Sequence, residues 1–137
     1  MAGYSGTPLA KKLGIRAGNR VCTLGAPASL EAALEPVPPD VTLQTSLRGR
    51  AAFDVVLLFA KRQADVASRF AALRDRLTPA GGLWVCWPKK ASGVPTDLTD
   101  AWVREYGLAT GLVDNKVCAV DETWSALRFV IRLRDRT

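Results

Sequence analysis

Gly81-Gly82-Leu83-Trp84-Val85-Cys86-Trp87-Pro88-Lys89-Lys90-Ala91-Ser92-Gly93 is the stretch on which the reading of this chain turns. The glycine pair makes a turn, Leu83 to Trp87 is an apolar run suited to a buried strand, and Pro88 ends it. Lys89 and Lys90 then leave at the strand's carboxyl end. In an open α/β sheet that end carries the loops that bind ligands.

Upstream, Val66, Phe70, Leu73 and Leu77 recur at helical spacing, with Arg62, Arg69, Arg74 and Arg76 on the remaining surface. Before that helix, Phe53-Asp54-Val55-Val56-Leu57-Leu58-Phe59 is nearly continuous and apolar, as a central strand buried on both faces should be. Arg20 to Leu24 reads as a first strand, Ser29 to Leu34 as a short helix, and Val41 to Thr45 as a second strand. At the start, Thr7 and Pro8 open a short helix that Gly14 closes. Downstream, Thr96 or Asp97 caps a helix with Leu98, Trp102 and Tyr106 on one face and Gly107 as its stop. Lys116 to Val120 and an alternating run of Leu127, Phe129, Ile131 and Leu133 give two last strands, joined by a hairpin over Asp121 to Ser125.

This order predicts an α/β domain: a doubly wound, mostly parallel Rossmann-like sheet flanked by helices and ending in an antiparallel hairpin. Residues 1–137 form a single domain, with 1–14 an N-terminal helical arm and 15–134 the core. A hydrophobic share of 48% with 23% charged residues is that of a globular protein. No run approaches a membrane span and no signal-peptide core follows the start, so a cytoplasmic protein without a membrane partner is expected.

Histidine is absent, which removes Ser-His and Cys-His triads and most zinc sites. Cys22, Cys86 and Cys118 each fall in an apolar run and read as small buried hydrophobes. No metal site is expected. Asp114, Asp121 and Glu122 are the carboxylates open to a base or ligand role, and Ser92 beside Lys90 the one hydroxyl-lysine pair. Short acidic turns are more often polar punctuation, and a serine and a lysine on one loop are too common to count.

The layout resembles the class I S-adenosylmethionine-dependent methyltransferases. Phe53 to Leu58 is similar to that family's fourth strand, and Leu77-Thr78-Pro79-Ala80-Gly81-Gly82-Leu83-Trp84-Val85 to the start of its fifth. The resemblance covers most of residues 15–134 and implies a Rossmann-like sheet. It departs from the family at the first loop, Thr23-Leu24-Gly25-Ala26-Pro27-Ala28, which has one glycine and no acid. It departs again at Gln44-Thr45-Ser46, where an acid for the cofactor ribose is implied. Between Val41 and Phe53 there is no room for the usual extra helix and strand. Gly3 to Leu9 and Trp87 to Gly93 also look like an uncharacterised bacterial family of unknown function.

A net charge of +6 and a pI of about 9.7 point to an anionic partner. If the sheet is doubly wound, Gly25, Arg48, Arg50, Lys61, Arg62, Lys89 and Lys90 collect along its carboxyl rim, with Trp87 and Trp124 beside them. Cations next to flat rings suit a nucleotide-like anion, and that is the leading expectation: a methyltransferase-like fold that binds such a molecule without catalysis. A nucleic acid held on the same rim is the alternative, and a divergent methyltransferase the second alternative. No cofactor is expected, and S-adenosylmethionine is disfavoured by the altered loop.

Overall fold

The computed structural model describes residues 7–136. The Gly3 to Gly6 part of the N-terminal arm, and Thr137, lie outside the described residues. Six strands form one sheet in the order β2-β1-β3-β4-β6-β5: β1 (Arg20–Leu24), β2 (Thr42–Gln44), β3 (Phe53–Phe59), β4 (Leu77–Pro88), β5 (Leu112–Ala119) and β6 (Trp124–Ile131). The pairs β2–β1, β1–β3 and β3–β4 are parallel, and β6 runs antiparallel to both β4 and β5. The order reverses between β1 and β3, so the crevice outside their carboxyl ends is the topological switch point.

Four helices cover the two faces. On one face α1 (Leu9–Lys12) and α2 (Leu30–Leu34) bury Ala10, Leu13, Leu30 and Leu34 against Val55, Leu57 and Trp84. On the other, α3 (Gln63–Arg74) and α4 (Asp100–Ala109) bury Val66, Phe70, Leu73 and Val103 against Val56, Leu58, Leu83 and Phe129. Each fully buried aliphatic or aromatic side chain contributes about 1.5–3 kcal/mol, so these two layers set the stability of the fold. Among the described residues no helix is long and apolar enough to cross a membrane.

The chain passes from β2 to β3 through residues 45–52 alone, with no intervening helix or strand. Because the two strands are parallel, this loop runs back from the carboxyl to the amino edge. Arg76 pins it there, donating from Nη1 to the Leu47 carbonyl at 2.8 Å and from Nη2 to the Ala51 carbonyl at 2.8 Å.

Several element boundaries differ from the sequence reading. Pro8, not Thr7, precedes α1, and no side chain caps it. The helix after β3 stops at Arg74, and Leu77 already pairs with Phe53, so residues between Leu77 and Gly82 bulge out of β4. Thr99 caps α4 by accepting from the Trp102 N–H at 3.1 Å, because Asp97 is engaged elsewhere. Gly107 lies inside α4 rather than ending it, and Gly111, at φ +96°, makes the turn. Strand β5 begins at Leu112, and β6 ends at Ile131, leaving Leu133 78% exposed in a 3-10 turn.

Candidate functional site

The carboxyl edge is built from the loops after β1, β3 and β4. Gly25 follows β1 with φ +69°, and a Cβ on it would lie 2.6 Å from the Phe59 carbonyl oxygen. Only glycine lets the first loop turn this closely onto the end of β3. The switch point therefore has a floor of bare backbone.

The next wall is a strap running from β4 back across the end of β3. Thr96 Oγ1 donates to the Lys61 carbonyl at 2.6 Å, and the Asp97 N–H donates to the same oxygen at 3.3 Å. The Asp97 carboxylate accepts from the Gln63 N–H at 2.7 Å, so it caps α3 from outside the helix. That helix end already holds a negative charge of the protein's own. Lys61 and Arg62 are exposed on this loop.

Lys89 and Lys90 leave β4 where the sequence placed them. Lys90 is exposed in the 3-10 turn Lys90–Ser92, and Lys89 Nζ donates to the Asp121 carbonyl at 2.8 Å, tying the strand end to the β5–β6 hairpin. Ser92 Oγ donates to the Lys89 carbonyl at 2.6 Å and accepts from the Val94 N–H, which closes the turn. Four cations, Lys61, Arg62, Lys89 and Lys90, thus share the edge beyond the neighbouring strands β3 and β4. None is in an ion pair among the described residues.

The rest of the expected rim is elsewhere. The loop carrying Arg48 and Arg50 lies with Arg76 at the amino edge, because eight residues suffice only to return the chain to the start of β3. Trp87 and Trp124 are only 6% and 8% exposed and sit in the core, on opposite faces of the sheet. Trp124 meets Phe59 edge to face at 5.1 Å. Neither indole stands open beside the lysines.

Of the carboxylates, Asp114 pairs with Arg104, which also holds Asp100 at 2.9 Å and so fastens α4 to β5. Asp121 Oδ1 accepts from the Thr123 and Trp124 N–H groups, each at 2.8 Å, shaping the hairpin. These groups are spent on structure. Glu122 is exposed beside them.

No protein-family model matches the chain, and no curated protein does. Solved structures do match, each at low sequence identity. Precorrin-6y C5,15-methyltransferase from Geobacter metallireducens is 14% identical, covers 90% of this chain and 85% of its own, and has a TM-score of 0.60. Aeropyrum pernix fibrillarin, solved with natively bound S-adenosyl-L-methionine, is 15% identical over 93% of this chain and 70% of its own, with a TM-score of 0.59. A SAM-dependent methyltransferase from Aquifex aeolicus is 14% identical over 88% and 86%, also at 0.59. The chain has a methyltransferase-like fold.

No acid stands in Thr23-Leu24-Gly25-Ala26-Pro27-Ala28 at the end of β1 or in Gln44-Thr45-Ser46 at the end of β2. The Gln44 amide nitrogen is committed to the Ser46 and Arg48 carbonyls at 2.6 and 2.8 Å. Gly25 supplies the tight turn, but no carboxylate is carried at either strand end to receive a ribose.

Proposed function

We propose that this methyltransferase-like domain binds an anionic, nucleotide-like small molecule at the carboxyl edge of β3 and β4. The observation that carries the proposal is the set of four cations, Lys61, Arg62, Lys89 and Lys90, none in an ion pair among the described residues, on two loops stitched together through Thr96 and Asp97. Phosphate oxygens accept from such donors by charge-assisted hydrogen bonds. S-adenosylmethionine suits the edge less well, since its sulfonium and ammonium outnumber its one carboxylate and the lysines repel them.

A divergent methyltransferase is the second reading. It is favoured by the neighbours whose structures hold S-adenosyl compounds and by the glycine turn after β1.

Thermal shift and calorimetric titration at low salt separate the readings, using ATP, AMP, S-adenosylmethionine, S-adenosylhomocysteine and a short oligonucleotide. A ligand at one hundred times its dissociation constant adds about 2.7 kcal/mol to stability. The proposal expects saturable stabilisation by nucleotides, lost in Lys89→Ala/Lys90→Ala and in Lys61→Ala/Arg62→Ala. Two variant pairs are used because Lys89 also tethers the hairpin. Stabilisation by the S-adenosyl compounds alone would establish the second reading. Oligonucleotide binding that collapses with added salt would indicate a nucleic-acid partner instead.

A further inference from the structure

At the opposite end of β4, on the face covered by α1, lies a cleft of about 690 Å³. Lys11, Lys12, Arg16, Lys116 and Arg128 line it, and Asp54 is the only carboxylate among the lining residues. Its volume is that of a small-ligand site.

Arg128 is the centre of the cleft. It faces Trp84 across the β4–β6 pair, and its guanidinium lies over Gly82. A Cβ on Gly82 would come within 2.3 Å of Arg128 Nε, so the glycine makes the space the side chain fills. Its one hydrogen-bond partner is Asn115 Oδ1 at 3.4 Å, and no carboxylate pairs with it among the described residues. Burial, then Arg136 and Arg16, push its affinity for a proton below the ordinary value. A half-buried guanidinium surrounded by cations costs stability unless an anion meets it.

Asp54 does not meet that need. It accepts from the Arg20 N–H at 2.8 Å and from Thr78 Oγ1 at 3.2 Å, at the amino end of β3. Lys116 Nζ, for its part, donates to the Lys12 carbonyl at 3.0 Å, which holds α1 against the hairpin and keeps the wall of the cleft in place.

We propose that this cleft is an anion site of its own, taking a compact phosphorylated small molecule whose phosphate sits against Arg128 between Arg16 and Lys116. Five cations against one carboxylate favour a doubly charged phosphate over a single carboxylate. A base-bearing nucleotide is disfavoured here because the aromatic ring at the site, Trp84, is fully buried and donates from Nε1 to the Leu13 carbonyl at 3.0 Å.

Calorimetric titration of the full chain with pyrophosphate and with inorganic phosphate, at low and moderate salt, tests the assignment. Saturable pyrophosphate binding is expected in the parent and is expected to remain in Lys89→Ala/Lys90→Ala, the background in which the carboxyl-edge site is lost. Arg128→Met fits the space over Gly82 and removes the charge, and should weaken binding about tenfold or more. Arg16→Ala, an exposed substitution, should weaken it severalfold while leaving the unfolding midpoint alone. Absence of saturable binding overturns the proposal. So does binding in the Lys89→Ala/Lys90→Ala background that survives Arg128→Met, or binding that disappears altogether with Lys89→Ala/Lys90→Ala.

Discussion

The Arg76 guanidinium lies 4.9 Å over the centroid of the Phe53 ring while it holds the Leu47 and Ala51 carbonyls. One side chain thus does two jobs at the amino edge: it covers the first residue of β3 and fastens the loop between β2 and β3. Arg76→Ala is expected to cost about 2 kcal/mol, from the lost charge-assisted hydrogen bonds and the lost cation–π contact. That corresponds to a melting temperature lower by about 8 °C for a domain of this length. Arg76→Lys should recover only part, because an ammonium cannot fork to two carbonyls and stack at once. Equal stability of Arg76→Ala and the parent would show that the loop closes without the clamp.

Strands β1 and β3 have the boundaries their residues predict, since a run such as Phe53 to Phe59, apolar and rich in branched side chains, has few other places to go. The helix over Val66, Phe70 and Leu73 was legible for the same reason. Half of the rim was not. A loop such as Ser46 to Arg50 shows its charge in the sequence but not which edge it lies on, and that depends on β2 and β3 being parallel neighbours of β1. Trp87 and Trp124 lie on opposite faces, Trp87 under α3 and α4 and Trp124 on the face of α1 and α2, and the strand run alone does not show that both faces are covered. The cleft around Arg128 was invisible for a further reason: its cations come from residues more than one hundred positions apart. A glycine two residues along β4 from the partner of an arginine on β6 is the signal that finds it, and only the register supplies that.

Asp97 caps α3 across the strap, and the type of substitution separates the cap from the charge. Asp97→Ala should destabilise by about 1 kcal/mol, the usual loss of a capping oxygen. Asp97→Asn keeps an acceptor for the Gln63 N–H and should cost little. The urea midpoints of the two variants check this. Equal losses would show that the ionic charge at the helix end matters rather than the hydrogen bond.

Gly107 sits under the Phe129 ring, with a Cβ position 2.0 Å from Phe129 Cε1. Glycine to alanine within a helix ordinarily gains about 1 kcal/mol. Here the added methyl must displace a buried ring, and overpacking costs about 1–3 kcal/mol, so Gly107→Ala should be destabilising on balance. Phe129→Leu makes room, and the double variant should therefore be more stable than the sum of the single effects. Simple additivity would mean that the ring moves aside without cost.

Cys22, Cys86 and Cys118 are free and buried, and burial raises each thiol above its ordinary value of 9.0, Cys86 most of all. In the unfolded chain these thiols ionise near that value, whereas in the folded chain they keep their protons. Above about pH 9 the unfolded state therefore binds fewer protons, and stability falls as pH rises towards the folded values; below it the contribution is fully present. Alkylation at neutral pH should modify none of the three until denaturant is added. Urea midpoints from pH 7 to 10 should drop less steeply for Cys86→Ala than for the parent, once the constant cost of the smaller side chain is subtracted. An identical alkaline slope in the two proteins would assign the loss to other groups and leave Cys86 out of it.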